Sequence, residues 1–155
     1  MTKKSATHSK NALRAWIQLI KTAKRIEGRM NSHFVTQHQS SMTRFDVLAN
    51  LARCDDHTTT TSRLSSMLLA SKGNITRLLD RMVSDGLIQR EIDPDDKRVS
   101  VVKMLPAGES LFNALAIDHE SWIDDLFVTF SNSELTDLSS MLETLRERLD
   151  ETQTQ

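Results

Sequence analysis

The sequence predicts a mainly α-helical fold with a small β-wing: a winged helix-turn-helix of six helices and a two- or three-stranded wing. Three observations predict it. Residues 60–108 read as two short helices, a charged hairpin and the start of another helix. Long amphipathic helices flank that stretch on both sides. The length, 155 residues, suits one domain with a core of its own.

The first short helix carries Leu64, Met67 and Leu68 at helical spacing. Thr61 and Ser62 precede it and suit an N-cap, because their hydroxyls accept from orphan backbone N–H groups. Ala70-Ser71-Lys72-Gly73 then breaks the pattern, with Ser71 as a second capping candidate. Ile75, Leu78, Leu79 and Met82 follow at i, i+3, i+4 and i+7, one apolar stripe of an amphipathic helix. Its other face carries Lys72, Asn74, Thr76, Arg77 and Arg81, donors that reach phosphates and base edges. Gly86 ends the helix in a left-handed cap, with Leu87 and Ile88 beyond it. The candidate DNA contacts from this pair are Thr61, Ser62, Ser71, Lys72, Gly73, Asn74, Thr76, Arg77 and Arg81.

Leu87 to Ile92 and Val99 to Met104 read as strands of the hairpin. Asp93-Pro94-Asp95-Asp96-Lys97-Arg98 between them is a turn, since proline and aspartates favour one. Asp96, Lys97 and Arg98 form its tip, and a basic tip beside a recognition helix can enter a neighbouring minor groove. Two readings stay open here. Helix-helix-hairpin units also occur in domains that bind only protein, and a basic helix face is often simply solvated.

Net charge is −1, which by itself argues against a nucleic-acid partner. Its distribution argues the other way. Residues 1–53 carry +8, residues 54–107 carry 0, and residues 108–155 carry −9. Such a dipolar chain can aim one face at DNA, and its acidic C-terminal helices can also pair with its basic first helix. No run of about 18 apolar residues predicts a membrane span. The Lys-containing polar N-terminus does not read as a signal peptide, so a cytoplasmic protein is expected. Cys54 is the one cysteine, so no internal disulfide forms.

Helix one is expected over roughly Ser9 to Phe34, with Leu13, Trp16, Ile20, Ala23, Met30 and Phe34 on its buried side. Helix two is expected from Thr43, where Thr43 and Asp46 resemble a capping box, and carries Phe45, Leu48, Leu51 and Ala52. Asp55 to Thr60 reads as a loop. Helix five starts at Pro106 and has a wide apolar face, including Leu111, Phe112, Leu115, Trp122 and Phe127. Ser131 with Glu134 is a fuller capping box for helix six, whose Leu135, Leu138, Leu142, Leu145 and Leu149 form a heptad-like seam. Helices one, five and six thus hold more apolar surface than one monomer readily covers, which predicts an obligate homodimer; the alternative is that these stripes form only an intramolecular core. The expected organisation is a single unit over 1–155. Residues 9–34 and 106–152 would be dimerisation helices, and 43–104 the DNA-binding lobe. A two-fold dimer would bind double-stranded DNA at an inverted-repeat operator.

The chain resembles the MarR family of bacterial transcription regulators from about Leu13 to Leu149. The residues that carry the resemblance are Leu64-Ser65, the run Ile75 to Met82, Gly86-Leu87-Ile88-Gln89-Arg90, the wing Asp93 to Arg98 with its Asp96-x-Arg98 pattern, and Val102 to Gly108. Leu105 stands where the family usually has a capping Thr, which leaves the first turn of the next helix without that cap. The resemblance implies a repressor that dimerises through its terminal helices and is released by a small ligand. It also implies an effector site lined by helices one, two and five. The residues at those places are Met30, His33, Phe34, Phe45, Leu48, Phe112, Leu115 and His119; plain core packing accounts for each singly. Arg29 and Arg44 suit a carboxylate anchor, because the guanidinium fork matches one. Arg44-Phe45-Asp46-Val47-Leu48 and His119-Glu120-Ser121-Trp122 look like a subgroup of aromatic-catabolism regulators. A small anionic aromatic acid or its thioester is the expected ligand.

An enzyme is not expected. His57 and Asp55-Asp56 sit in a polar loop, no catalytic set or Gly-rich phosphate loop is present, and no spacing suggests a metal or cofactor. A thiol redox sensor built on Cys54 is the remaining alternative, with Arg53 its one close cation.

Overall fold

Helix α1 runs Ala6–His38, four residues further than periodicity suggested, in a computed structural model that describes residues 6–68, 75–93 and 96–153. It stops where Gln39 turns left-handed at φ 50°. The Asn31 side-chain oxygen then accepts from the Met42 N–H at 3.0 Å, tying α1 to the next helix. Only the C-terminal part of its expected buried side is covered. Met30 and Phe34 are buried, whereas Leu13 and Trp16 are 59% and 58% exposed and Ala23 is exposed too. Helical spacing shows that residues share a face, not that the same chain covers it.

Helix α2 spans Met42–Ala52, and its N-cap is Ser41 rather than Thr43. Capping needs an extended backbone, and Ser41 has it (φ −135°, ψ 159°), with its hydroxyl accepting from the Arg44 N–H at 3.3 Å. Thr43 already lies inside the helix. The segment expected to be a loop forms a 3₁₀ turn, Asp55–His57, and strand β1, Thr58–Thr60. Three β-branched residues suit a pleated edge, and β3 has a free side to pair with. Helix α3, Thr61–Met67, is capped by Thr60, whose hydroxyl accepts from the Arg63 N–H at 3.2 Å. Thr61 and Ser62, the expected caps, are its first helical residues, and the Thr61 hydroxyl is buried and unpaired. The Ser71 cap lies outside the described residues.

Helix α4, Ile75–Ser84, points Ile75, Leu79 and Met82 inward. It closes as expected. Gly86 adopts φ +70°, its N–H donates to the Val83 carbonyl (3.0 Å), and the Leu87 N–H donates to Met82 (3.0 Å). Strands β2, Ile88–Ile92, and β3, Ser100–Met104, complete a three-stranded antiparallel wing ordered β1-β3-β2. Thr59 and Arg90 both register with Val102. Helix α5, Pro106–Phe127, starts without a side-chain cap. Pro106 lacks the N–H that would need one, the Leu105 carbonyl accepts from Glu109 at 3.0 Å, and the Leu105 N–H donates to Leu87 at 3.0 Å. Gly108 packs so close that an added Cβ would lie 2.1 Å from the Leu87 carbonyl oxygen.

The chain forms two compact units, Met1–Asp118 and His119–Gln155, divided within α5. The first holds a continuous core of Val47, Leu48 and Leu51 from α2, Leu64 and Leu68, the inward face of α4, and Leu87, Ile88, Val102 and Met104 of the wing. The second contains the last turns of α5 and helix α6, Asn132–Gln153. Its Phe127 and Phe130 rings meet edge to face at 5.7 Å. The expected capping box is present: Ser131 N–H donates to the Glu134 carboxylate at 2.8 Å, and Glu134 N–H donates to the Ser131 hydroxyl at 3.3 Å. These bonds, the backbone one first, hold the Glu134 carboxyl below its ordinary range. The α6 seam stays largely uncovered: Leu138, Met141, Leu142, Leu145 and Leu149 are exposed.

Candidate nucleic-acid interface

The apolar face of α4 is spent on the core, so its polar residues must point away. Thr76, Arg77 and Arg81 are exposed, and the α3 residue Ser62 is exposed as well. Thr61 is half-buried. Ser71, Lys72, Gly73 and Asn74, the other expected contacts of this pair, lie outside the described residues.

The wing tip is organised by a local hydrogen-bond set. Asp93 N–H donates to the Val99 carbonyl at 2.9 Å, and Val99 N–H donates to the Asp96 carbonyl at 2.8 Å. The Asp96 carboxylate accepts three bonds from Arg98: the backbone N–H (3.0 Å), Nε (3.1 Å) and Nη2 (3.2 Å). Those bonds, the side-chain ones first, lower the Asp96 carboxyl below its ordinary value. Asp96 therefore stays ionised and presents Arg98, whose side chain is 90% exposed, as an oriented fork at the tip beside exposed Lys97. Pro94 and Asp95 of the same turn lie outside the described residues.

A second cluster lies in the first unit. Phe34 of α1 meets Phe45 of α2 edge to face at 5.4 Å, and Phe45 stacks on Phe112 of α5 at 6.0 Å. Met30, Leu48 and Leu115 are fully or nearly fully buried. His33 and His38 both flank Phe34, and each places Nε2 2.8 Å from the same carboxylate oxygen, Asp118 Oδ2. The His33 bond is the main cause that lowers the Asp118 carboxyl below its ordinary value, against desolvation. His38 and Asp118 escaped the sequence reading because helix one was expected to end at Phe34. Of the expected anchors, Arg29 is exposed, while Arg44 pairs with Asp85. His119 falls in the second unit, where burial lowers its affinity for a proton.

The Cys54 thiol is half-buried and donates to the Asn50 carbonyl at 3.3 Å. Among the described residues, no group of three His, Cys, Asp or Glu is arranged to hold a metal ion. No helix among them is long and apolar enough to cross a membrane.

A helix with outward donors, packed behind by a second short helix and flanked by a cation-tipped three-stranded wing, defines a winged helix-turn-helix protein. The MarR family model matches residues 40–100, the stretch that contains this lobe. The transcriptional regulator MhqR of Bacillus subtilis is 27% identical over 86% of this chain and 90% of its own length. A MarR family regulator of Streptomyces coelicolor, solved in complex with DNA, superposes with TM-score 0.80 at 16% identity over 96% of this chain and 91% of that one. An organohalide-sensing regulator in its 2,4-dichlorophenol-bound form superposes with TM-score 0.78 at 19% identity, over 88% of this chain and 80% of that one. Over this lobe the chain is similar to the MarR family of transcription regulators, and its fold is theirs.

Proposed function

We propose that this regulator is a cytoplasmic homodimeric repressor that reads an inverted-repeat operator and is released from it by a small aromatic ligand. The observation that carries the DNA reading is the pairing of two donor sets on one lobe. Thr76, Arg77 and Arg81 project from α4, and Asp96 presents the Arg98 fork at the wing tip. The α4 set suits the major groove and the Arg98 fork suits an adjacent minor groove. Ser62 and the segment from Ser71 to Asn74 would add phosphate contacts, whereas the buried Thr61 hydroxyl would not. The DNA-bound S. coelicolor relative of the same fold supports this reading.

Release by ligand rests on the Phe34, Phe45 and Phe112 cluster, which joins α1, α2 and α5. Aromatic walls of this kind favour a flat aromatic guest. With Arg44 engaged by Asp85, the anchor for a ligand carboxylate falls to Arg29. The dichlorophenol-bound relative supports an aromatic ligand. A gel shift on its own promoter tests both halves. Arg77→Ala and Arg98→Ala should each weaken binding by about 1–3 kcal/mol. Undiminished affinity in both variants refutes the docking. If a panel of aromatic acids, thioesters and phenols neither releases DNA nor raises the melting temperature, ligand control is refuted.

A further inference from the structure

Outside its apolar stripe, α4 and the residue that follows it are tied to the lobe by ion pairs. Asp80 pairs with Arg90 of β2 at 2.9 Å. Asp85, just past the end of α4, pairs with Arg44 in the first turn of α2. Asp85 stands at an unfavourable place for an acid. The C-terminus of a helix carries partial negative charge, so a carboxylate there opposes the macrodipole. A carboxylate next to a helix that approaches phosphates also repels them. Arg44 offsets both effects, and in doing so joins the end of α4 to α2. Arg44 itself is well placed to hold still. Its own N–H is bound by the Ser41 cap, and its neighbour Phe45 is wedged between Phe34 and Phe112. A fixed cation thus grips a residue just past the end of the donor-bearing helix.

We propose that Arg44 is a positioning residue for DNA recognition: through Asp85 it sets the pose of α4, without contacting DNA itself. The proposal rests on α4 being the reading helix, and the test separates the two ideas. The wild-type protein first selects a duplex from a random library. Affinity for that duplex and for an unrelated duplex of equal length is then measured for Arg44→Gln, Asp85→Asn, the exchange Arg44→Asp with Asp85→Arg, and Arg77→Ala. Melting temperature is measured for each.

Asp85→Asn is the decisive variant, because it removes a negative charge near DNA. A purely electrostatic role makes it bind the selected duplex more tightly. A positioning role makes it bind about two- to fivefold more weakly, the range that an ion pair of this exposure supports. Arg44→Gln should lose a similar factor. Both losses should be confined to the selected duplex, and the charge exchange should restore affinity to within about twofold, which a direct Arg44–phosphate contact would not allow. Tight binding by Asp85→Asn, failure of the exchange to rescue, or equal losses on both duplexes overturns the proposal. Affinity unmoved by Arg77→Ala instead overturns the reading of α4, and the positioning role with it. If Arg77→Ala binds weakly and Asp85→Asn binds normally, the positioning role alone is wrong.

Discussion

Gly108 shows how much one missing side chain decides. It lies in the first turn of α5, and a Cβ there would sit 2.1 Å from the Leu87 carbonyl oxygen and 3.0 Å from the Met104 side chain. The Leu87 carbonyl is also the acceptor of Leu105 N–H, so the backbone cannot retreat without breaking that bond. Gly108→Ala is therefore expected to destabilise the first unit by about 1–3 kcal/mol, read as a lower urea midpoint with unchanged slope. Asp118 carries a second expectation at this scale. Its carboxyl is held below its ordinary value, chiefly by the His33 bond. A group lowered on folding stabilises above its unfolded value, and that contribution is lost as pH falls through the lower folded value. Asp118→Asn should thus be less stable than wild type at pH 7, with the gap closing on acidification below the ordinary aspartate range. A gap that stays constant from pH 7 to strongly acid solution refutes this account. The side chains of this cluster are partly exposed, so a small gap is expected.

At the scale of elements, legibility followed the strength of the local signal. Helix α4 was plain because Ile75, Leu79 and Met82 fix one face and Gly86 supplies the left-handed residue that ends it. The Ser131–Glu134 box marked the start of α6 for the same reason: two residues satisfy each other's backbone locally. Strand β1 was not legible, since three threonines carry no apolar alternation and their pairing with β3 is a long-range event. The caps of α2 and α3 lie one or two residues before the positions that sequence marks, because Ser41 and Thr43, or Thr60, Thr61 and Ser62, are chemically alike. Only backbone angle separates them. The His33–Asp118–His38 cluster was hidden by a helix boundary, and the Arg44–Asp85 pair by sequence separation. Gly86→Ala tests the best-read element. A Cβ meets nothing within 4 Å there, so the cost is conformational alone: about 1 kcal/mol, from forcing a side chain to φ +70°. Unchanged stability in a denaturant titration contradicts that cap.

At the scale of the whole molecule, the largest unexplained quantity is uncovered apolar surface. Leu13, Trp16 and Ile17 of α1, Ile117 and Leu126 of α5, and the α6 seam from Leu138 to Leu149 are all exposed in the single chain. Scattered apolar residues on a surface need no explanation, but rows at helical spacing on three helices do. Periodicity made those rows visible in sequence. It did not reveal that the chain itself leaves them open, because coverage depends on which surfaces meet. A two-fold partner covering them is the simplest physical outcome, and it predicts that the protein sediments at twice the 17.6 kDa chain mass at micromolar concentration. Leu142→Asp with Leu145→Asp places two charges in the seam. At exposed positions the folded monomer tolerates them, whereas a buried interface does not. The variant should keep its helical content, sediment as a monomer, and bind an inverted repeat about a hundredfold more weakly, since each half-site must then be held without its tethered twin. A wild-type monomer that binds the repeat tightly, or a double variant that still sediments as a dimer, rules out assembly through α6.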